Sequence, residues 1–194
     1  DDAHAVGVMG PNGEGAAAHW NLTDEVDIIT GTFSKSLASI GGFVAASKPV
    51  IQYLKHHSRP LIFSASLPPA STAGTLAALE ILRNEPERRE RLWENARHLM
   101  EGFRSLGFDI GPTELLIVPI LVGPFNETMI FWQKLFDAGV FTNPVAPPAV
   151  PEGRCLLRTS YMATHTDDQL DFVLEQLERV GKKYGVIGHG IEVA

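Results

Sequence analysis

The residues best suited to chemistry begin with a lysine among hydroxyls, in Gly31-Thr32-Phe33-Ser34-Lys35-Ser36. A strand end that withdraws an ammonium from water lowers its pKa, and the neutral amine can then form a Schiff base. Thr32 and Ser34 could hold a phosphate beside it. A solvated turn lysine has the same local sequence, so the reading needs company. Asp1-Asp2-Ala3-His4 offers some. A carboxylate that pairs with a pyridinium nitrogen keeps an electron-sink ring protonated, and a nearby imidazole can bond to the ring hydroxyl or move protons. Arg158, within Leu156-Leu157-Arg158-Thr159-Ser160, is the third candidate. A guanidinium flanked by leucines needs a partner, and either a substrate carboxylate or a structural ion pair would serve.

These residues need elements to carry them. Residues 26–32 read as a short buried strand and 42–46 as another, with Lys35 in the turn between. Residues 1–15 are loop-like, and their glycines match neither GxGxxG nor GxxxxGK[ST]. A helix is expected from Pro49 to just before Arg59-Pro60, then an extended stretch over 61–66. A small-residue helix follows over 70–83, and from Pro86 a long amphipathic helix carries Leu92, Ala96, Leu99, Phe103 and Leu106 to a stop at Gly107. Residues 115–122 read as a strand, at an edge or bulged because Pro119 lacks an N–H. Asn126 is expected to cap a helix through about Ala138, and 154–162 to form another strand. Thr166 and Gln169 have capping-box spacing for a final helix with Leu170, Val173, Leu174 and Leu177 on one face. The order predicts an α/β first part with crossovers and a smaller α+β domain from about residue 87.

At this point the chain resembles a known family. DDAHAVGVMGPNGEG, GTFSKSLASIGGFVA, SRPLIFSASLPP and LLRTSYMATHT are similar, in order and approximate spacing, to motifs of the pyridoxal-phosphate-dependent α-oxoamine synthases, over nearly the whole chain. These are fold-type I enzymes that condense an amino acid with an acyl-CoA and lose CO2. Within the family the motifs look most like the soluble bacterial branch that joins L-serine to palmitoyl-CoA and yields a 3-keto sphingoid base. Cousins that acetylate glycine or make 8-amino-7-oxononanoate are close alternatives. A non-catalytic subunit of the same fold and a plain aminotransferase are further ones, although a non-catalytic subunit can lack the lysine that is present here.

The resemblance implies roles. Lys35 would be the Schiff-base lysine, Asp1 would face the pyridine nitrogen, and His4 would lie near the ring hydroxyl, with Lys35 and His4 handling protons. Thr32 and Ser34 would hold the cofactor phosphate, joined by Ser64 from a neighbouring subunit, and Arg158 would take the amino-acid carboxylate. It also implies a homodimer with shared sites. By it, residues 1–86 would be the C-terminal part of a large cofactor-binding domain with a mainly parallel sheet, 87–185 the small domain, and 186–194 a flexible tail. The chain would thus be the C-terminal half of the enzyme, unable by itself to form a complete cofactor site. Some members of the serine branch carry an arginine where this chain has Ala146, so carboxylate binding falls more heavily on Arg158.

Bulk properties narrow the partners. With 16 Lys and Arg against 23 Asp and Glu among 194 residues, the formal charge is −7, which argues against wholesale binding to nucleic acid or anionic membrane. The single Cys155 excludes an internal disulfide and a multi-cysteine zinc site. No apolar run approaches the roughly 20 residues of a membrane span, and the N-terminus lacks a targeting pattern. The expectation is a cytoplasmic protein with no metal site and at most peripheral contact with the inner membrane. His19, His56, His57, His98, His165 and His189 show no HExxH spacing, and His165, near Arg158, is the one to watch.

Overall fold

A computed structural model describes residues 1–187, in two units, one of Asp1–Arg89 and one from Glu90 onward. The first opens with a glycine-rich loop and a single helical turn, α1 (Ala16–His19). Strand β1 (Ile28–Thr32) follows a short 3-10 turn over Thr23–Glu25, which delays the strand by two residues relative to expectation. Strand β2 (Gly42–Ala46) pairs with it antiparallel, from Ile28 opposite Ala46 to Thr32 opposite Gly42.

The α/β class stands, and the two strands of the first unit are a part of the large-domain sheet that the resemblance implies to be mainly parallel. All three strand pairings among the described residues are antiparallel. For β1 and β2 the reason is the short link between them, since a parallel return needs a crossover of about a dozen residues or more. Helices α2 (Lys48–His57), α3 (Arg59–Ile62) and α4 (Pro69–Asn84) complete the unit. Helix α3 takes the first two residues, Leu61 and Ile62, of the extended stretch expected over 61–66, because Pro60 lies in its first turn, where the fixed φ of proline favours a helix start.

None of these three helices contains a buried residue. Phe63 is 81% exposed, and Tyr53, Leu61 and Leu76 are also open to solvent. What is buried in this unit lies elsewhere, at Asp2, Ala5, Met9, Gly13, Gly15 and Leu37.

Helix α5 (Pro86–Leu106) contains the unit boundary. Beyond it come β3 (Ile117–Gly123), α6 (Phe125–Asp137), β4 (Asn143–Val145), β5 (Cys155–Ser160) and α7 (Asp167–Tyr184). The strands form an antiparallel sheet in the order β3-β5-β4. Alternation sends Val118, Ile120, Cys155, Leu157 and Thr159 into the core. There they join Leu99 and Phe103 of α5, Phe131 and Leu135 of α6, and Leu170 and Leu177 of α7.

Pro119 sits on an edge strand opposite Arg158, as its missing N–H requires, and a register irregularity follows between Leu121 and Gly123. Helix α6 starts at Phe125 after Pro124, which displaces the cap expected at Asn126 into the first turn. The tail expected to be flexible from residue 186 begins packed: Ile187 is 4% exposed and Val186 lies against the core. The remainder of that expected tail, 188–194, lies outside the described residues.

Helix α7 has the predicted capping box, with Gln169 N–H donating to the Thr166 hydroxyl at 3.3 Å and Thr166 N–H to Gln169 Oε1 at 3.1 Å. Two exposed contacts, Arg91 to Asp167 at 2.6 Å and His98 to Asp171 at 2.8 Å, orient α7 along α5 and add little stability. Thr166→Ala removes the acceptor and should lower the unfolding free energy of the full-length natural protein by about 1 kcal/mol in urea titrations.

Candidate active site

In the first unit the chemistry gathers where β1 ends. The link from Phe33 to Gly41 is held by Phe33 N–H donating to the Gly41 carbonyl (2.9 Å) and Ser39 N–H to the Phe33 carbonyl (2.8 Å). Ala38 N–H closes a tight turn onto the Lys35 carbonyl at 3.0 Å, and Ala38 accepts a φ of 49° to do so. Leu37, 4% exposed, anchors this turn in the interior, while Lys35 beside it is exposed. Any desolvation of the Lys35 ammonium has to come from groups outside these residues.

The two predicted phosphate-binding hydroxyls do meet, with Thr32 Oγ1 and Ser34 Oγ 2.8 Å apart. Thr32 donates to the Gly41 carbonyl at 3.2 Å and accepts from Ser34 N–H at 3.2 Å. Thr32 is partly buried and Ser34 exposed, so the pair faces outward next to Lys35.

The Asp1–His4 loop is docked onto the same region. Ser36 Oγ donates to the Val6 carbonyl at 2.6 Å, which ties the residue after Lys35 to the loop that carries Asp1 and His4. Gly7 makes the approach possible: at its φ of 85°, an added Cβ would lie 2.6 Å from Ser36 Cβ and 2.8 Å from Leu82 Cδ1. Asp1 and His4 are both exposed, and Asp1 Oδ1 accepts from Ala3 N–H at 2.8 Å. Ser64 is exposed in the irregular stretch between α3 and α4.

This donor set fits the cofactor that the resemblance implies. Two outward hydroxyls at a strand end suit a phosphate, the adjacent exposed amine suits an aldehyde, and the docked loop supplies a carboxylate and an imidazole. Asp1, His4, Thr32, Ser34, Lys35 and Ser36 all belong to this one unit.

Arg158 belongs to the other unit, on central strand β5 between Pro119 of β3 and Asn143 of β4. Its neighbours Leu157 and Thr159 point into the core, so Arg158 rides on the opposite face, partly exposed. It lines a groove of about 640 Å³ together with Asn143, Ser160, Met162, His165 and Phe172. A cation beside apolar side chains suits the carboxylate of an otherwise apolar or amphiphilic ligand.

Sequence reasoning singled out Arg158 and His165 in this groove but missed the residue that holds its wall in place. Asn95, 1% exposed on α5, donates through Nδ2 to the carbonyls of Met162 (2.9 Å) and His165 (3.3 Å) and so holds the turn after β5. Its signal was a polar residue on the apolar helix face, one turn before Leu99. His165 Nδ1 in turn accepts from Met162 N–H at 3.3 Å.

Tyr161 lies 2.5 Å from Thr159 Oγ1, which donates to the Val118 carbonyl at 2.8 Å and therefore accepts from the phenol. Burial pushes the Tyr161 phenol far above its ordinary value near 10. The folded state thus keeps a proton that the unfolded chain loses above pH 10. Stability is full below that pH and falls by about 1.4 kcal/mol per unit as pH rises beyond it. Alkaline unfolding of the full-length natural protein should show this slope, and Tyr161→Phe should flatten it.

Among the described residues, no three His, Cys, Asp or Glu side chains are grouped to hold a metal ion, and no helix is long and apolar enough to cross a membrane.

Known proteins share both the sequence and the architecture. A serine palmitoyltransferase from Sphingobacterium spiritivorum is 52% identical over 183 residues, covering 94% of this chain and 46% of that protein. The 8-amino-7-oxononanoate synthase of Petrotoga mobilis is 42% identical over 187 residues, covering 96% and 48%. A solved structure of SPT with PLP as its internal aldimine superposes with a TM-score of 0.90 at 40% identity, covering 96% of this chain and 48% of that one. The chain spans about half the length of the curated relatives it matches. The sequence profile of the aminotransferase class I and II family matches residues 1–177, and with the lysine turn and docked loop described above this establishes that the chain belongs to that family.

Proposed function

We propose that the full-length protein is a pyridoxal-phosphate-dependent α-oxoamine synthase that condenses L-serine with palmitoyl-CoA, releasing CO2 and CoA and forming a 3-keto sphingoid base. The observation that carries this reading is the Lys35 turn, with its paired hydroxyls and its bond to the Asp1–His4 loop, in a chain 52% identical to a serine palmitoyltransferase. Bound there, the cofactor supplies an electron sink for the Cα bonds of the amino acid. Lys35 binds its aldehyde, and Thr32 and Ser34 hold its phosphate. Asp1 keeps the ring nitrogen protonated, and His4 holds or moves a proton at the ring hydroxyl. Arg158 binds the serine carboxylate, and it does so without help from position 146, which is alanine here.

The assembly belongs to the same proposal. The exposed apolar residues of α2 to α4, Phe63 above all, call for cover, and a homodimer in which Ser64 completes the partner's phosphate site provides it. Residues 1–86 then form the C-terminal part of the cofactor domain and 87–185 the small domain. A cytoplasmic enzyme of sphingolipid synthesis, at most peripheral to the inner membrane, accords with this set.

The test is a panel of amino acids against short and long acyl-CoAs, with free CoA read by a thiol reagent. L-Serine with palmitoyl-CoA should be the fastest pair. A clear preference for glycine with a short acyl-CoA, or keto-acid formation without CoA release, would refute the assignment.

A further inference from the structure

We propose that Asp2 is the positioning residue for the cofactor-binding loop, a role that rests on the functional reading above. Asp2 is 6% exposed, unlike Asp1 and His4 on either side of it. Its N–H donates to the Thr30 carbonyl at 2.7 Å, which fixes the loop against β1 two residues before Thr32. Its carbonyl accepts from the N–H groups of Ala5 (3.0 Å) and Val6 (3.1 Å), closing the turn that carries His4. Its carboxylate reaches the far end of the loop, where Oδ1 accepts from Ala16 N–H at 3.2 Å.

One residue therefore ties the strand, the His4 turn and the loop's exit together. Gly15 leaves the room this needs, because a Cβ there would stand 2.2 Å from Asp2 Oδ2. Val6, held by the Asp2 carbonyl, is the same residue whose own carbonyl accepts from Ser36 Oγ, so the ties run on to the lysine turn. Asp1 and His4 owe their direction to Asp2, and the buried carboxylate acts as an acceptor for backbone N–H.

The two ways of changing the carboxylate separate this role from a merely structural one. In the full-length natural protein, Asp2→Ala deletes the acceptor and Asp2→Asn keeps an oxygen in its place. Hydrogen exchange at the Ala16 amide, which loses its acceptor, should speed up about fivefold to tenfold in Asp2→Ala and return to within about threefold of the parent in Asp2→Asn. The Ala5 and Val6 amides, bonded to the retained main-chain carbonyl, should follow in the same direction by a smaller factor as the loop loosens. The dissociation constant for pyridoxal phosphate, followed by quenching of tryptophan fluorescence in the apo-protein, should rise and recover in parallel. The visible absorbance of the bound cofactor should shift in the alanine variant alone.

If Asp2→Ala does not fold, Gly15→Ala, which crowds the carboxylate from the other side, should give the same loop exchange and cofactor shift. Unchanged exchange and cofactor affinity in Asp2→Ala would overturn the inference. So would an asparagine variant as impaired as the alanine one, because the oxygen alone would then not suffice. A parent protein that binds no cofactor would instead refute the functional reading, and the exchange rates would still decide the role of Asp2 in the loop.

Discussion

Lys35→Ala in the full-length natural protein is expected to abolish the visible absorbance of covalently held cofactor and to cut condensation activity by at least about a thousandfold, with folding unchanged. The two halves of that expectation come from different observations. Lys35 is exposed at the tip of its turn, and the turn is held by backbone hydrogen bonds and by the buried Leu37, none of which needs the ammonium. Exposed side chains without such contacts change stability by about 0.5 kcal/mol or less. The loss of function follows because no other lysine lies between β1 and β2. Absorbance spectra, a CoA-release assay and a thermal melt check the three parts. An alanine variant that kept its covalent absorbance would remove Lys35 from the site.

The second large effect is on stability. Phe131→Ala should destabilise the second unit by about 3–5 kcal/mol, through lost transfer energy and the cavity left behind. Phe131 is 0% exposed on α6, and its ring centroid lies 6.2 Å from that of Phe108. The same core takes in Leu157 of β5, the immediate neighbour of Arg158, so the strand that presents the guanidinium depends on this packing. Phe136, five residues along the same helix and 50% exposed, is the control. Its replacement by alanine should cost under about 1 kcal/mol, and equal losses at the two positions in urea unfolding would show that the core does not carry the unit.

The charge of −7 gains meaning beside these sites. A phosphate and a carboxylate bound within an acidic protein would need local donors, and Lys35, Arg158, hydroxyls and backbone N–H groups are the ones proposed for that role.

By itself the sequence determined those features that depend on near neighbours. The amphipathic run from Leu92 to Leu106, the stop at Gly107, the Thr166–Gln169 capping box and the placement of Lys35 between two strands are all set within a few residues, so periodicity and capping rules reach them. The ordered motifs around Lys35 and Arg158 carried the family for the same reason, being contiguous in the chain.

What the tertiary structure decided involves partners far apart in sequence. Asp2 looks like any polar loop residue until its carboxylate is seen fourteen positions away on Ala16 N–H. Asn95 looks like a flaw in an apolar helix face until its amide is found on the carbonyls of Met162 and His165. Ser36, next to the expected lysine, becomes the link to the Asp1–His4 loop only because Gly7 lets the two backbones close. The side chains proposed to do the chemistry are named by local sequence. Their direction is set by buried polar groups that must find a hydrogen-bond partner, and folding alone decides which partner that is.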